Sequence, residues 1–177
     1  SVNSVLEDRI IGTTTNSRTY RLVTTGQTDI PIQLWGISLK EGQQGTMLFN
    51  TQWQPPAGNY SIQYGHASAE DGVFTLWNKE TRQHIGISAD TGTYLWTTES
   101  QHYLDAFGAR IKIRLGKLYC TGFAGIVYAY NLANGNTLWE YDVDDPYTEI
   151  LWGENWPMLF AFFTGDRKIV LFHMEHS

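Results

Sequence analysis

The residues best equipped for chemistry crowd into one short segment near the end of the chain. Trp152-Gly153-Glu154-Asn155-Trp156-Pro157 places two indoles, a carboxylate and an amide in a loop that leads into a strand. Trp152, Glu154, Asn155 and Trp156 are therefore candidate ligand-binding residues. The other constellations are thinner. In a strand, His173 and Glu175 of His173-Met174-Glu175-His176 share a face and His176 turns away, short of the three or four converging ligands that zinc takes. Asp142, Asp144 and Asp145 cluster in YDVDDPY but lack the Gly and terminal Glu of a helix–loop–helix calcium loop, so they read as a solvated connection. Cys120 is the single cysteine and lies inside an apolar strand, KLYCTG. It reads as a buried small hydrophobe, because a reactive thiol wants a base beside it and none is visible in the sequence. Asn59-Tyr60-Ser61 fits a glycosylation acceptor triplet, a pattern that recurs by chance. There is no Gly-rich nucleotide loop, Ser-nucleophile elbow or paired-His helix. No catalytic residue, metal site or cofactor is expected from these patterns.

Composition narrows the class. The 177 residues include seven Trp, ten Tyr and eight Phe, with only 17% charged residues and 17 Gly. Broad rings, Thr and Val suit sheets, and the glycines suit tight turns between strands. The net charge of −6 carries no basic stripe, which argues against a nucleic-acid partner. No run of about 18 apolar residues is present, so no membrane-spanning helix is expected.

The elements that must position these residues are strands. Ile111, Ile113 and Leu115 alternate with Lys112 and Arg114, one face apolar and one solvated. Ile126 to Asn131 and the short apolar run Met158 to Phe163 suit strands buried on both faces. Val73 to Trp77, Leu34 to Leu39 and Ile169 to Phe172 read as further strands, and Gln101 to Phe107 as at most one turn of helix. Pro55 and Pro56 exclude their segment from a central ladder. Glu70-Asp71-Gly72, Leu115-Gly116-Lys117, Asn134-Gly135 and Gly165-Asp166 punctuate the runs as turns.

A repeat chooses among the all-β architectures. AYNLANGNTLWEYDV, from Ala129, superimposes on GISADTGTYLWTTES, from Gly86, so that Gly135 matches Gly92 and Trp139 matches Trp96. A third copy, GISLKEGQQGTMLFNTQ, from Gly36, has a turn three residues longer, with Gly42 in the turn and Phe49 in place of Trp. Each unit is a strand, a glycine turn and a returning strand that carries a large ring. That ring has nothing large to pack on within its own hairpin. Phe49, Trp96 and Trp139 are therefore expected to be buried between adjacent sheets, making each unit depend on the next.

The pattern resembles the tryptophan-docking motif of pyrroloquinoline-quinone-like (PQQ-like) repeat β-propellers, A-x-D-x-x-T-G-x-x-x-W. Ala129, Asn131, Asn134, Gly135 and Trp139 fill its positions in one copy, and Gly86, Ser88, Thr91, Gly92 and Trp96 in the other. GKLYCTGFAGIVYAYN is similar to the strand pair that precedes the motif in that family. Asn and Ser stand where the family has Asp. The resemblance implies an all-β propeller of four-stranded antiparallel blades, about three and a half of them here. Their bounds are near 9–53, 60–98, 103–142 and an incomplete 147–177. Because the family closes its rings with seven or eight blades, the chain is expected to be part of a longer polypeptide, with a compact four-bladed ring as the alternative.

The family divides between non-catalytic binding or assembly modules and quinone-dependent dehydrogenases. In the dehydrogenases, carboxylate and amide side chains hold calcium and a Trp stacks on the quinone. Trp152, Glu154, Asn155 and Trp156 are of those types but match no cofactor motif. The resemblance therefore implies an extracytoplasmic binding or scaffolding module. Its partner is expected to be a protein, a carbohydrate or further blades of the same polypeptide. A fragment of an alcohol or sugar dehydrogenase using PQQ and calcium is the alternative.

Overall fold

The structure is a computed structural model that describes residues 1–15, 31–56, 61–104, 110–121, 125–143, 156–163 and 169–174, the last two stretches as backbone. Fourteen strands and no helix are found among them. β1 (Val2–Val5), β2 (Arg9–Thr15), β3 (Ile32–Ser38) and β4 (Met47–Trp53) form one antiparallel sheet in chain order. β5 (Ile62–Ser68), β6 (Val73–Asn78), β7 (Gln83–Ser88) and β8 (Tyr94–Thr97) form the second. β9 (Arg110–Arg114), β10 (Lys117–Thr121), β11 (Ile126–Asn131) and β12 (Thr137–Asp142) form the third. β13 (Trp156–Phe163) and β14 (Ile169–Met174) pair as a two-stranded fourth. The first strands of successive sheets, β1, β5, β9 and β13, lie side by side. Meandering sheets with neighbouring inner strands are the blades of a β-propeller segment. The first sheet begins at Val2 rather than at residue 9, because the short VNSV strand lacks an alternation that would mark it.

The period-two pattern explains the cores. Every residue of β6 is buried. Phe74 and Leu76 pack with Ile11, Ile32, Leu34 and Phe49 between the first and second sheets. On the opposite face, Val73 joins Trp96, Leu118, Tyr128 and Tyr130 between the second and third, while Trp77 joins Leu104 and Cys120. The middle sheet is thus covered on both sides, and its β6 reads as a nearly continuous apolar run.

One backbone joint recurs in each full sheet. The residue just past the third strand donates to the first turn: Leu39 N to Asp8 O at 2.8 Å, Ala89 N to Gly72 O at 2.8 Å and Leu132 N to Gly116 O at 3.0 Å. The turn after that strand is closed the same way each time. Gly92 N donates to Ser88 O at 2.9 Å, Gly135 N to Asn131 O at 2.8 Å and Gly45 N to Ser38 O at 2.9 Å. Gly45, not Gly42, is therefore the turn glycine equivalent to Gly92 and Gly135, and the three extra residues precede it. The residue opening each turn caps it with a short side chain. Ser38 Oγ accepts from Lys40 N, Ser88 Oγ from Asp90 N and Asn131 Oδ1 from Ala133 N. Ser and Asn replace Asp here without loss of function, since each offers an acceptor two residues ahead of an open amide.

These turns differ in what covers them. A Cβ on Gly92 would lie 2.4 Å from the Phe49 ring, whereas one on Gly45 would meet nothing within 4 Å; both have positive φ, 69° and 82°. Gly45→Ala should therefore cost about 1–2 kcal/mol, the left-handed backbone penalty alone. Gly92→Ala should cost more by at least about 1 kcal/mol, because a ring must also move. Urea midpoints of the two variants check this difference.

Candidate functional site

Among the described residues, the groups able to do chemistry gather where sheets meet. The first gathering is the ring-and-turn joint. Phe49, on β4, sits over Gly36 of its own sheet and reaches Gly92 in the turn of the next, where Thr51 Oγ1 donates to Gly92 O at 3.0 Å. Trp96, on β8, covers Gly86 of its own sheet and Gly135 of the next, and its Nε1 donates to Leu132 O at 2.7 Å. A side chain on Gly86 would come within 2.2 Å of that indole. The glycines at both contacts leave room for the ring to lie flat across the seam.

Trp139 departs from this arrangement. It is 40% exposed, against 4% for Trp96. Its register partner is Ala129, in the place of Gly86 and Gly36, and its ring leans on Tyr119 at 6.1 Å and 47°. The expectation that Trp139 is buried like Trp96 is corrected. A Cβ stands where the other two rings lie on bare backbone, and no described glycine turn receives it.

The second gathering is a buried polar cluster between the second and third sheets. His84 is fully buried on β7, and its Nε2 meets Gln101 Oε1 at 2.8 Å. Tyr130 OH donates to the same oxygen at 3.3 Å. Gln101 Nε2 donates to Tyr103 O and to Cys120 Sγ, the latter at 3.6 Å. Since Gln101 Oε1 only accepts, His84 carries its proton on Nε2, and its Nδ1 is left buried without a partner. Burial holds the imidazole down near 4 and pushes the Cys120 thiol up to about 12. A thiol and an imidazole are brought to one glutamine, but burial disfavours the thiolate–imidazolium pair that nucleophilic chemistry would use. Native Cys120 should resist a disulfide-type thiol reagent and react stoichiometrically in denaturant. Rapid modification of the folded protein would contradict this placement.

Charged groups also join sheets. Arg9 is buried, gripped by both oxygens of Asp8 at 2.9 and 2.8 Å, and it reaches Ala89 O at 2.8 Å and the Asp90 carboxylate of the next sheet. The Arg9 hydrogen bonds hold the Asp8 carboxyl below its ordinary value. Asp71 Oδ1 accepts from Gly116 N of the third sheet at 2.9 Å. His66 Nδ1 accepts from Ile113 N at 3.2 Å, tying the inner strands β5 and β9.

Of the candidate ligand-binding residues, Trp152, Glu154 and Asn155 lie outside the described residues, and Trp156 opens β13 opposite Met174. His173 and Met174 are in β14, while Glu175, His176, Asp144 and Asp145 lie outside the described residues. Among the described residues no group of three or more His, Cys, Asp or Glu is placed to hold a metal ion. Glu154 and Asn155, the carboxylate and amide of the types that hold calcium beside a quinone, lie outside the described residues. No described helix is long and apolar enough to cross a membrane.

A cleft lies between the first and second sheets, a cavity of about 280 Å³ bordered by Trp53, Tyr94, Asn78 and Gln83, that sequence reasoning missed. Its lining comes from several separate strands and turns, which no local pattern links.

No family model matches this chain, and no curated protein does. Among solved structures it is similar to BamB from Moraxella catarrhalis, at 16% identity over 73% of this chain and 39% of that one, with a TM-score of 0.44. It is also similar to a europium-containing methanol dehydrogenase, at 15% identity over 78% of this chain and 25% of that one, with a TM-score of 0.45. A third is the computationally designed Ika8 protein, at 10% identity over 80% of this chain and 36% of that one, with a TM-score of 0.44. The chain thus spans between a quarter and two fifths of these structures.

Proposed function

We propose that this chain is a non-catalytic segment of an extracytoplasmic PQQ-like β-propeller that binds or scaffolds other macromolecules. The observation that carries this reading is the use made of reactive groups. Cys120, His84, Tyr130 and Arg9 are all spent on holding one sheet to the next. What the outer strands offer instead is contact surface. Leu48, Leu95 and Leu138 occupy equivalent places, each just before the ring, and all three are exposed, as are Met47, Tyr94 and Tyr141 beside them. An apolar stripe repeated on successive blades suits a partner surface better than a solvated one. The extracytoplasmic setting follows from the family resemblance of the repeats.

Two arms test this reading. Titration with pyrroloquinoline quinone and calcium should leave the quinone spectrum unchanged and produce no alcohol-dependent dye reduction; a spectral shift with turnover would overturn the non-catalytic reading. A photo-crosslinking residue placed at Leu95 or Leu138 in the producing cell should give discrete adducts, and the same residue at exposed Glu41 should not. Absence of adducts at both leucines would remove the outer-strand contact surface from this reading.

A further inference from the structure

We infer that the cleft between the first and second sheets is a binding site for a neutral hydroxylated ring, a pyranose unit of a saccharide. This deepens the binding-module reading, on which it rests, by giving it a place and a ligand class. The cavity, about 280 Å³, is bordered by two aromatic rings, Trp53 and Tyr94, by the amides Asn78 and Gln83, and by Thr81 and Ile85; among the described residues no charged side chain lines it. Its size sits at the lower edge of small-molecule sites, which suits one ring rather than a chain of them.

The polar groups are already oriented. Asn78 is only 4% exposed, and its Oδ1 is committed to the following turn, accepting from Glu80 N at 2.9 Å and Thr81 N at 3.3 Å. Its amide NH₂ is thereby fixed, with no hydrogen-bond acceptor among the described residues, at the cavity wall. Gln83 is the mirror case. Its Nε2 donates to Thr98 O at 2.8 Å, leaving Oε1 as a free acceptor. The register places Asn78 and Gln83 directly opposite each other, so a fixed donor and a fixed acceptor stand side by side. A ligand hydroxyl at the wall would accept from that NH₂. Adjacent hydroxyls serve both groups, because each hydroxyl donates and accepts.

The walls suit the rest of such a ring. Trp53 packs against the core of the first two sheets, and the Tyr94 hydroxyl is paired with Thr97 Oγ1 at 3.1 Å. Aromatic faces accept the C–H face of a sugar while its hydroxyl edge turns to the amides. The described lining, neutral throughout, suits an uncharged ligand better than phosphates, carboxylates or amines, whose burial without a counter-charge is expensive.

The test is a heteronuclear NMR titration of the chain with three probes: methyl β-D-glucopyranoside, methyl α-D-mannopyranoside and the methyl glycoside of N-acetylglucosamine. At least one should produce saturable shifts converging on the Asn78 and Gln83 side-chain amides and the Trp53 indole. Tyr94→Ala and Gln83→Leu should each weaken that binding by about tenfold or more, while the backbone spectrum elsewhere stays that of the folded protein. Absence of saturable shifts with all three glycosides would overturn the inference. So would phenol moving the same signals more tightly than any glycoside, since an aromatic ligand would then be the better fit. Adducts at Leu95 or Leu138 with no glycoside bound would sink this inference and leave the binding module standing. Glycoside binding without adducts would do the reverse for the rim surface.

Discussion

Trp96→Ala should destabilise the protein by about 3–5 kcal/mol, the range for emptying a buried large aromatic site. Trp139→Ala should cost no more than about 1 kcal/mol. The two tryptophans hold the same place in the repeat, so the contrast isolates the environment from the residue. Trp96 is 4% exposed, lies across Gly86 and Gly135 and donates to Leu132 O. Removing it empties the seam between the second and third sheets and leaves a buried carbonyl without its donor. Trp139 is 40% exposed and leans only on Tyr119 among the rings described. Urea unfolding followed by far-ultraviolet circular dichroism, which does not depend on the deleted indole, measures both. Equal costs would mean that the seam is not what stabilises Trp96.

Acid should weaken the fold well before the carboxylates protonate. His84 has a folded-state value near 4, set chiefly by burial, against about 6.5 in an unfolded chain. Between those values the unfolded chain binds a proton that the folded chain refuses, so stability falls as pH falls from about 6.5 to about 4 and levels off below. The full difference amounts to about 3 kcal/mol for His84 alone. His66 is held near 4 by burial and by nearby Lys112, so it acts in the same window. Being less buried, it contributes less. Its Nδ1 must stay unprotonated to accept from Ile113 N. Asp8, kept low by hydrogen bonds from Arg9, acts at still lower pH. Unfolding free energy measured from pH 7 to pH 4 should therefore drop steeply in the native chain. In His84→Gln, which keeps a polar amide at that position but cannot titrate, the drop should be smaller by more than half. An unchanged slope would remove His84 from the account.

Much of the fold is legible in the sequence because it rests on local periods. The alternation in 111–114, the doubly apolar β6 and β11, and the glycine turns each encode their own strand or hairpin, although Leu115, expected to extend that alternation, sits in the turn after β9 with φ 53°. The ring repeat encodes the stacking of one hairpin on the next. Legibility fails where the determinant is a long-range choice. In the first copy Gly42 and Gly45 both lie in the turn, and only the bond from Gly45 N to Ser38 O picks the equivalent residue. Trp139 looks identical to Trp96 along the chain; what separates them is Ala129 against Gly86 across the strand pair. Arg9 reads as an ordinary surface cation until Ala89 and Asp90 of the next sheet are brought to it. The candidate site was least legible of all. Trp152, Glu154 and Asn155 attract attention by composition, yet the paired amides of Asn78 and Gln83 become visible only once β6 and β7 are set in register and the first sheet is laid against them.

The most direct measurement is hydrogen exchange of the assigned tryptophan indole N–H groups by NMR. An indole sealed across a sheet seam and bonded to Leu132 O should exchange only through opening of that seam, so the Trp96 signal should persist far longer than that of Trp139. Fast exchange at Trp96, matching Trp139, would mean that the second and third sheets are not joined through this ring, and the propeller arrangement would fall with it.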